Sequence, residues 1–314
     1  MPDCSIVVRA FNEEKHLGKL LSGIKCQNIH PSQVILVDSG STDETVDIAR
    51  KEGAKVVTIH PEDFSFGRSL NLGISQVTSE FIVICSAHVF PVYPDWLEKI
   101  LAPFTDPRIA LTYGKQRGAE SSHFSEQQLF LHWYPELTDL HQSHPFCNNA
   151  NAAIRRSLWD VHPYHENLPA LEDLEWAKWA HDQGLGIAYV KDAEVIHVHN
   201  ETWNGVLNRY RREGMAFKHI YPNENFNLWD LFHSCFRNVF SDFRAASSTH
   251  KLNGNRRKIM RFRWMQALGT YRGYHQSGPL TWQLKKAFYY PRPNADVGLQ
   301  NNERKIKPID YASR

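Results

Sequence analysis

The chain has 314 residues, 42% hydrophobic and 22% charged, the proportions of a folded protein of one large or two ordinary domains. No apolar run approaches the roughly 20 residues that span a bilayer, the opening MPDCSIVVRAFNEE has neither the basic start nor the apolar core of a signal peptide, and five cysteines fall at unrelated spacings; a reduced, cytoplasmic protein is expected. The formal net charge of +2 hides an asymmetry, because residues 244–314 hold 15 Lys and Arg against 3 Asp and Glu, leaving 21 against 31 in the preceding part, so the two ends are expected to face different partners.

The first two-thirds alternate β-branched runs with helical patterns, which predicts an α/β fold with a mostly parallel sheet. CSIVVRAF reads as a strand. Leu17, Leu20, Leu21 and Ile24 then recur at i, i+3, i+4 and i+7 and define one helix face. QVILVDSG is a second strand, and Ser41-Thr42-Asp43-Glu44 after it has the spacing of a capping box that would open the helix TDETVDIARKEG. AKVVTIH is a third strand, GRSLNLGISQV a helix, and FIVICSAH a fourth strand, central because it is continuously apolar. PDWLEKILAPF is a short amphipathic helix and RIALTYG a further strand.

Residues 115–147 show no clear period and read as a loop-rich insertion over a site. NNANAAIRRSLW resumes order, EDLEWAKWAHDQG is a helix closed by Gly184, and IAYVKDAEVIHVH supplies two strands. From Thr202 the pattern is helical. NLWDLFHSCFRNVFSDFR carries Leu228, Leu231, Phe232, Cys235, Phe236, Val239, Phe240 and Phe243 on one stripe, AASSTHKLNGN reads as a linker, and RRKIMRFRWMQALGTYRGY is a basic, aromatic helix. The expected division is a domain over 1–220, a helical region over 221–290 and a polar, mobile tail over 291–314.

Ligands of open α/β sheets bind where the carboxyl ends of strands converge. Those ends carry Arg9, Asn12 and Glu13; Asp38, Ser39, Ser41 and Asp43; and Ser86 and His88. No glycine-rich phosphate loop is present. The succession IVVRAFNEEKHL, VILVDSGSTDET, FSFGRSLNLGI, an apolar strand ending in a polar triplet, and LEDLEWA resembles the nucleotide-sugar-dependent glycosyltransferases of family 2, over roughly residues 1–220. FGRSLNLG, LTYGKQRG and the later His-Val-His are similar to bacterial polysaccharide transferases of rhamnosyltransferase type.

The resemblance implies the GT-A fold, a Rossmann-like mixed sheet flanked by helices, here with a C-terminal helical extension. It implies that Arg9, Asn12 and Glu13 line a nucleotide pocket, that Asp38 accepts from a ring N–H of the base, and that Ser41, Asn71 and Ser86 belong to the donor site, with Arg68 on the phosphate or sugar. A carboxylate at Asp38 suits the imide of a UDP- or dTDP-sugar; the competing reading is that Asp38 caps the turn before Ser41. Asp173 matches the family's catalytic base, which takes the proton of an acceptor hydroxyl as that oxygen attacks the anomeric carbon, and Glu172 would hold the acceptor or raise the base's pKa. The plainer reading is that Glu172, Asp173 and Glu175 are first-turn acids favoured by the helix dipole.

One departure stands out. The family usually ends the fourth strand in Asp-x-Asp, which holds Mn²⁺ or Mg²⁺, and here the triplet is Ser86-Ala87-His88. His88 with His197 or His199 could hold a metal, the latter two alternating with Ile196 and Val198 and so sharing one side of a strand. Alternatively, protonated His88, helped by Arg68, Arg211 or Arg212, would neutralise the leaving diphosphate directly. The expected reaction is inverting transfer from a UDP- or dTDP-sugar to a saccharide or lipid-linked saccharide acceptor. A nucleotidyltransferase and a non-catalytic nucleotide-sugar or glycan binder are the alternatives. The basic segment 256–274 would meet a membrane at its inner face, or else the acidic N-terminal part of its own chain or of a second subunit in a homo-oligomer; no nucleic-acid motif accompanies the charge.

Overall fold

The computed structural model describes residues 3–199, 201–276 and 306–312. Strand β1 (Cys4–Ala10) lies between β2 (Gln33–Asp38) and β4 (Phe81–Ser86), parallel to both, and β2 carries β3 (Lys55–Thr58) on its other side. The remaining strands are β5 (Val89–Pro91), β6 (Ile109–Gly118), β7 (Asn151–Arg155) and β8 (Gly186–His197). The eight form one mixed sheet ordered β3-β2-β1-β4-β7-β6-β8-β5, in which β7 runs antiparallel to β4 and β6, and β5 antiparallel to β8. Mixed pairing is the GT-A arrangement expected, and β5 is an edge strand for which three residues gave no periodic signal.

Alternation within the strands divides the core into two layers. Ile6, Val8, Val83 and Cys85 pack on one side with α1 (Leu17–Lys25) and α4 (Trp96–Leu101), where Leu17, Leu20, Trp96 and Leu97 are fully buried. Val7, Ile35, Ile82 and Ile84 pack on the other side with α3 (Phe66–Ile74) and α7 (Glu172–Asp182), whose Leu70 and Trp176 are fully buried. Burial of such side chains stabilises by about 1.5–3 kcal/mol each relative to exposure.

Helix α2 runs Thr45–Lys51 and begins later than expected. The capping box does not form, because the Ser41 hydroxyl accepts from the Asn12 amide (2.9 Å) and Asp43 instead accepts from the Thr45 amide (3.0 Å). The stretch 115–147 is also more ordered than its sequence suggests: β6 extends to Gly118, and α5 covers Phe124–Trp133. Apolar residues of α5 lie all around its axis, which is why no period was visible. Helix α6 (Arg156–Val161) follows β7 directly, and IAYVKDAEVIH forms one strand rather than two, with a register irregularity opposite Gly114 and Gln116.

Beyond the sheet lie α8 (Trp203–Ile220), α9 (Leu228–Ser248) and α10 (Leu252–Tyr274). The expected linker is mostly helix, since α9 reaches Ser248 and only Thr249–Lys251 separate it from α10. Helices α8 and α10 meet backbone to backbone: a Cβ on Gly214 would sit 2.8 Å from the Thr270 carbonyl, one on Gly269 2.5 Å from that of Leu207, and one on Gly273 closer still to that of Arg211. Arg263 is buried and grips Asp242 of α9 through two hydrogen bonds, of 2.7 and 2.8 Å.

The expected mobile tail is packed where it is described: Tyr311 donates to the Pro91 carbonyl (2.6 Å) and the Ile309 amide to that of Val92 (3.0 Å). The rest of the tail, and 277–290 of the helical region, lie outside the described residues. Among the described residues no helix is long and apolar enough to cross a membrane. The interleaving expected in 256–274 is resolved onto two sides: Ile259, Phe262 and Arg263 are buried, while Arg256, Arg257, Lys258, Met260, Arg261 and Trp264 are exposed. The α9 stripe is only partly buried. Leu231 is covered, yet Phe236 and Phe240 are each more than 70% exposed, as is Trp229 beside the stripe.

Candidate active site

Two clusters hang from the carboxyl end of β1. Arg9, the penultimate residue of that strand, pairs in register with Ser86 at the end of β4, and its guanidinium reaches Glu172 at 2.7 Å while lying 4.8 Å from the ring centre of Phe66. Arg212 of α8 approaches the same ring at 4.9 Å. Glu13, in the loop after β1, is held by its amide to the Thr45 hydroxyl (2.7 Å) and meets His88 at 2.6 Å.

The first cluster centres on Asp173. Leu171, just before α7, takes a left-handed backbone (φ 57°), a conformation that costs a residue with a Cβ of order 1 kcal/mol or more and that gathers at functional sites. It turns Glu172 and Asp173 inward, and both are buried. Asp173 accepts from the backbone amides of Leu174 (2.8 Å) and Asn149 (3.1 Å). Burial and the neighbouring Glu172 nevertheless push its pKa up to about 7, against the pull of those amides and of Arg9. Asn149 ties the cluster together, with its side chain 3.4 Å from Glu172 and 3.3 Å from the Tyr164 hydroxyl. A first-turn acid serving only the helix dipole would be solvated, with a pKa at or below the ordinary range. Asp173 is neither.

The second cluster is three histidines. His88 occupies the turn between β4 and β5, His197 ends β8 and His199 follows; Val89 pairs with His197, and the Val198 amide donates to the His88 carbonyl (3.0 Å). The rings of His197 and His199 flank Val198 and close on His88, with centroids 4.0, 5.0 and 5.9 Å apart, and one nitrogen from each lies within 4.8 Å of the others. Each Nδ1 faces an oxygen: Glu13 for His88 (2.6 Å), Gln116 for His197 (2.7 Å) and Glu126 for His199 (2.6 Å). An oxygen acceptor fixes the proton on Nδ1 and leaves the Nε2 lone pair as the available ligand.

The structure orients these acceptors as well. The Gln116 amide nitrogen donates to Asn148 (3.2 Å), turning its oxygen to His197, and Glu126 also takes Arg209 at 2.7 Å. Burial opposes the charge on Glu126, but Arg209 and His199 overcome it and hold the carboxyl at about 2. Burial and the two neighbouring imidazoles keep His197 well below the ordinary histidine range; for His88 burial acts the same way, but Glu13 outweighs it and raises the pKa. Among the described residues, Nε2 of His197 is buried with no hydrogen-bond partner. Three imidazoles with fixed tautomers, acceptors behind them and one orphaned lone pair fit a divalent cation.

The other expected residues fall into two groups. Asn12 (φ 54°) and Ser41 stitch the loops after β1 and β2 together, Asn12 accepting from the Thr42 amide (2.8 Å). Asp38 caps its own turn, with Oδ2 accepting from Gly40 (3.0 Å) and Ser41 (3.2 Å) and Oδ1 from Ser41 at a longer 3.3 Å, so Oδ1 keeps capacity for a second donor. Ser86 stands beside Arg9. Asn71 does not fit the donor site: it donates to the Tyr164 carbonyl and Glu166 and accepts from Trp159 and the Tyr164 amide, which uses its whole hydrogen-bonding capacity inside the fold. Arg68, half exposed near Asp63 and Glu166, lines a separate cavity of about 550 Å³ whose walls include none of Asp173, His88, His197 or His199. Gln116, Glu126, Asn149 and Arg209 were not anticipated; they act through partners distant in sequence, and only the polar composition of KQRG and NNAN hinted at two of them.

Residues 5–161, half of the chain, match the family described as glycosyl transferase family 2. The O-antigen chain rhamnosyltransferase RfbN of Salmonella typhimurium is 25% identical over 77% of this chain and 76% of its own length, and WbaN of Salmonella anatum, of the same description, is 26% identical over 78% and 77%. Among solved structures, a mannosyltransferase from Pyrobaculum calidifontis in complex with GDP-Man and Mn²⁺ superposes with a TM-score of 0.59 over 88% of this chain and 90% of that one at 16% identity. Glucosyl-3-phosphoglycerate synthase from Mycobacterium tuberculosis, solved with Mn²⁺, UDP-glucose and phosphoglyceric acid, gives 0.53 over 70% and 79% at 20% identity.

Proposed function

The chain belongs to glycosyl transferase family 2, and from that premise we propose that it is an inverting transferase moving a deoxyhexose or hexose from a dTDP- or UDP-sugar onto a saccharide or lipid-linked saccharide in polysaccharide assembly. The observation that carries the reading is Asp173: a buried carboxylate, fixed by two amides, whose proton affinity sits near neutrality beside Glu172 and Arg9. A general base works best with its pKa near the working pH. The two Salmonella relatives support a rhamnose-type donor.

Asp173 takes the acceptor hydroxyl's proton as that oxygen bonds to the anomeric carbon, and the bond from that carbon to the diphosphate oxygen breaks on the opposite face. Asn149 and Leu174 hold the carboxylate still, and Glu172, anchored by Arg9, keeps its proton affinity high. Arg9, Asn12, Glu13, Ser41 and Ser86 line the nucleotide side, with the free capacity of Asp38 Oδ1 for an imide N–H. His88, His197 and His199 would hold a divalent cation, which supplies positive charge against the leaving diphosphate.

A lipid surface fits the acceptor side. Trp229, Phe232, Phe236 and Phe240 line the exposed face of α9, and Arg237 and Arg244 of that helix and Arg256, Arg257, Lys258 and Arg261 of α10 are exposed as well; exposed aromatic side chains together with cations suit an anionic bilayer.

The direct experiment follows nucleoside diphosphate release from dTDP-, UDP- and GDP-sugars with lipid-linked and free saccharide acceptors. Acceptor-dependent release from a dTDP- or UDP-sugar, falling about 10²–10⁴-fold in Asp173→Asn, is the expected result. Equal release by both proteins removes Asp173 as base, and turnover of GDP-sugars alone overturns the donor assignment.

A further inference from the structure

We propose that the three histidines form a tris-imidazole centre selective for imidazole-preferring divalent cations of the Co²⁺ and Zn²⁺ kind, with Mn²⁺ weaker and Mg²⁺ rejected. This rests on reading the histidines as the transferase's metal site, but it concerns which ion they select. Aspartates at the end of β4 would bring two negative charges and hard oxygen ligands. Ser86-Ala87-His88 brings one neutral nitrogen, and His197 and His199 bring two more.

The carboxylates nearest the centre are engaged through one oxygen each, with Glu201 on Arg209 at 2.8 Å and, among the described residues of this set, only Oε2 of Glu126 buried without a partner. Glu13 and Glu126 hold Nδ1 of His88 and His199, at 2.6 Å each, and Glu126 is further engaged by Arg209. They therefore stand behind the imidazoles and make them more basic. Mg²⁺ requires oxygen ligands in near-ideal octahedral geometry and gives up water reluctantly, so three neutral nitrogens offer it little. Imidazole suits the later first-row ions, whose affinities rise along the series from Mn²⁺ through Co²⁺.

The His197 lone pair points the same way. A buried polar atom without a partner costs about 1–3 kcal/mol, and the fold maintains that cost by fixing the opposite nitrogen to Gln116, which Asn148 in turn orients. A histidine serving only as core packing could turn its ring to satisfy both nitrogens. Gln116 comes from β6, Glu126 from α5 and Glu13 from the loop after β1, so three separate segments aim these rings.

The test uses the purified full chain, stripped with a chelator that is then removed, and titrated calorimetrically with Zn²⁺, Co²⁺, Mn²⁺ and Mg²⁺ in the absence of any sugar donor; the Co²⁺ form is also examined for visible d–d absorption. The expected result is one Zn²⁺ or Co²⁺ per chain, bound at least about tenfold more tightly than Mg²⁺, with a nitrogen-ligated Co²⁺ spectrum. His197→Ala and His88→Ala should abolish the spectrum, and Glu13→Ala should weaken binding about 10–100-fold. His88 is partly exposed, so its variant keeps the test open if His197→Ala fails to fold. His233→Ala and His250→Ala, on the α9 surface and in the turn after it, should change nothing. Mg²⁺ binding as tight as Zn²⁺, or Zn²⁺ binding undiminished in His88→Ala, overturns the proposal. A donor panel without turnover would sink the transferase reading and leave these binding results standing.

Discussion

Asp173 should make the protein less stable as the pH rises, and Asp173→Asn should remove that dependence. The carboxyl's pKa is 3.8 ordinarily and about 7 in the fold, so between those values the native state holds a proton that the unfolded chain has released. Raised affinity in the folded state means the contribution is full below pH 3.8 and is lost as pH climbs through 7. At about 1.4 kcal/mol per pKa unit, the wild type should lose about 3 kcal/mol between pH 5 and pH 8 through this group.

The substituted amide presents one oxygen and one NH₂ group to the two backbone amides that the carboxylate accepts from. One amide is therefore left facing a donor, a penalty of about 1–3 kcal/mol that does not vary with pH. The difference in pH dependence is accordingly the clean readout. Urea unfolding of both proteins at pH 5, 6, 7 and 8 should show the variant gaining on the wild type at each step, most steeply below pH 7, while sugar transfer is lost. Parallel stability profiles would refute the claim that Asp173 is a carboxylate held near neutrality by burial and Glu172.

Two glycines of one helix should respond in opposite directions. Gly273→Ala drives a methyl into the Arg211 carbonyl and should lower the thermal midpoint by several degrees, whereas Gly254, with nothing near its added Cβ, should gain up to about 1 kcal/mol from alanine's better helix propensity, both read by calorimetric melting. Vesicles containing anionic lipid should sediment the wild type and leave Phe236→Glu/Phe240→Glu in the supernatant; equal sedimentation of both, or equal binding to neutral vesicles, would remove α9 as the contact face.

The first βα unit and the apolar runs of β2 and β4 could be read directly, because a buried strand and a one-faced helix write their environments into local periodicity. The same logic failed for α5, whose residues face β6, the histidines and α10 in turn, and for Ser41, whose hydroxyl found the Asn12 amide across the loops in place of its own helix. His88 was singled out by the resemblance, which aligns it with the usual Asp-x-Asp, and His197 and His199 were linked to each other by strand alternation. Their supports were not identifiable: Gln116, Glu126 and Arg209 become relevant only when β6, α5 and α8 are brought beside the end of β8. The α9 stripe misled in the opposite sense, since periodicity reports that a helix has an apolar face and does not say what covers it.

The glycine seam between α8 and α10 bears on where this protein can be divided. Helix α8 carries Arg209, which steadies Glu126 behind His199, and it shares its backbone surface with α10, Gly214 against Gly273 and Leu207 against Gly269, while Arg263 locks α10 to α9. A chain cut after residue 220 would keep α8 but strip one flank of it to water, leaving carbonyls and hydrogens where a neighbouring helix had been. The last three helices and the sheet should therefore melt as one cooperative unit, and removing the helical region should loosen the histidine centre from behind.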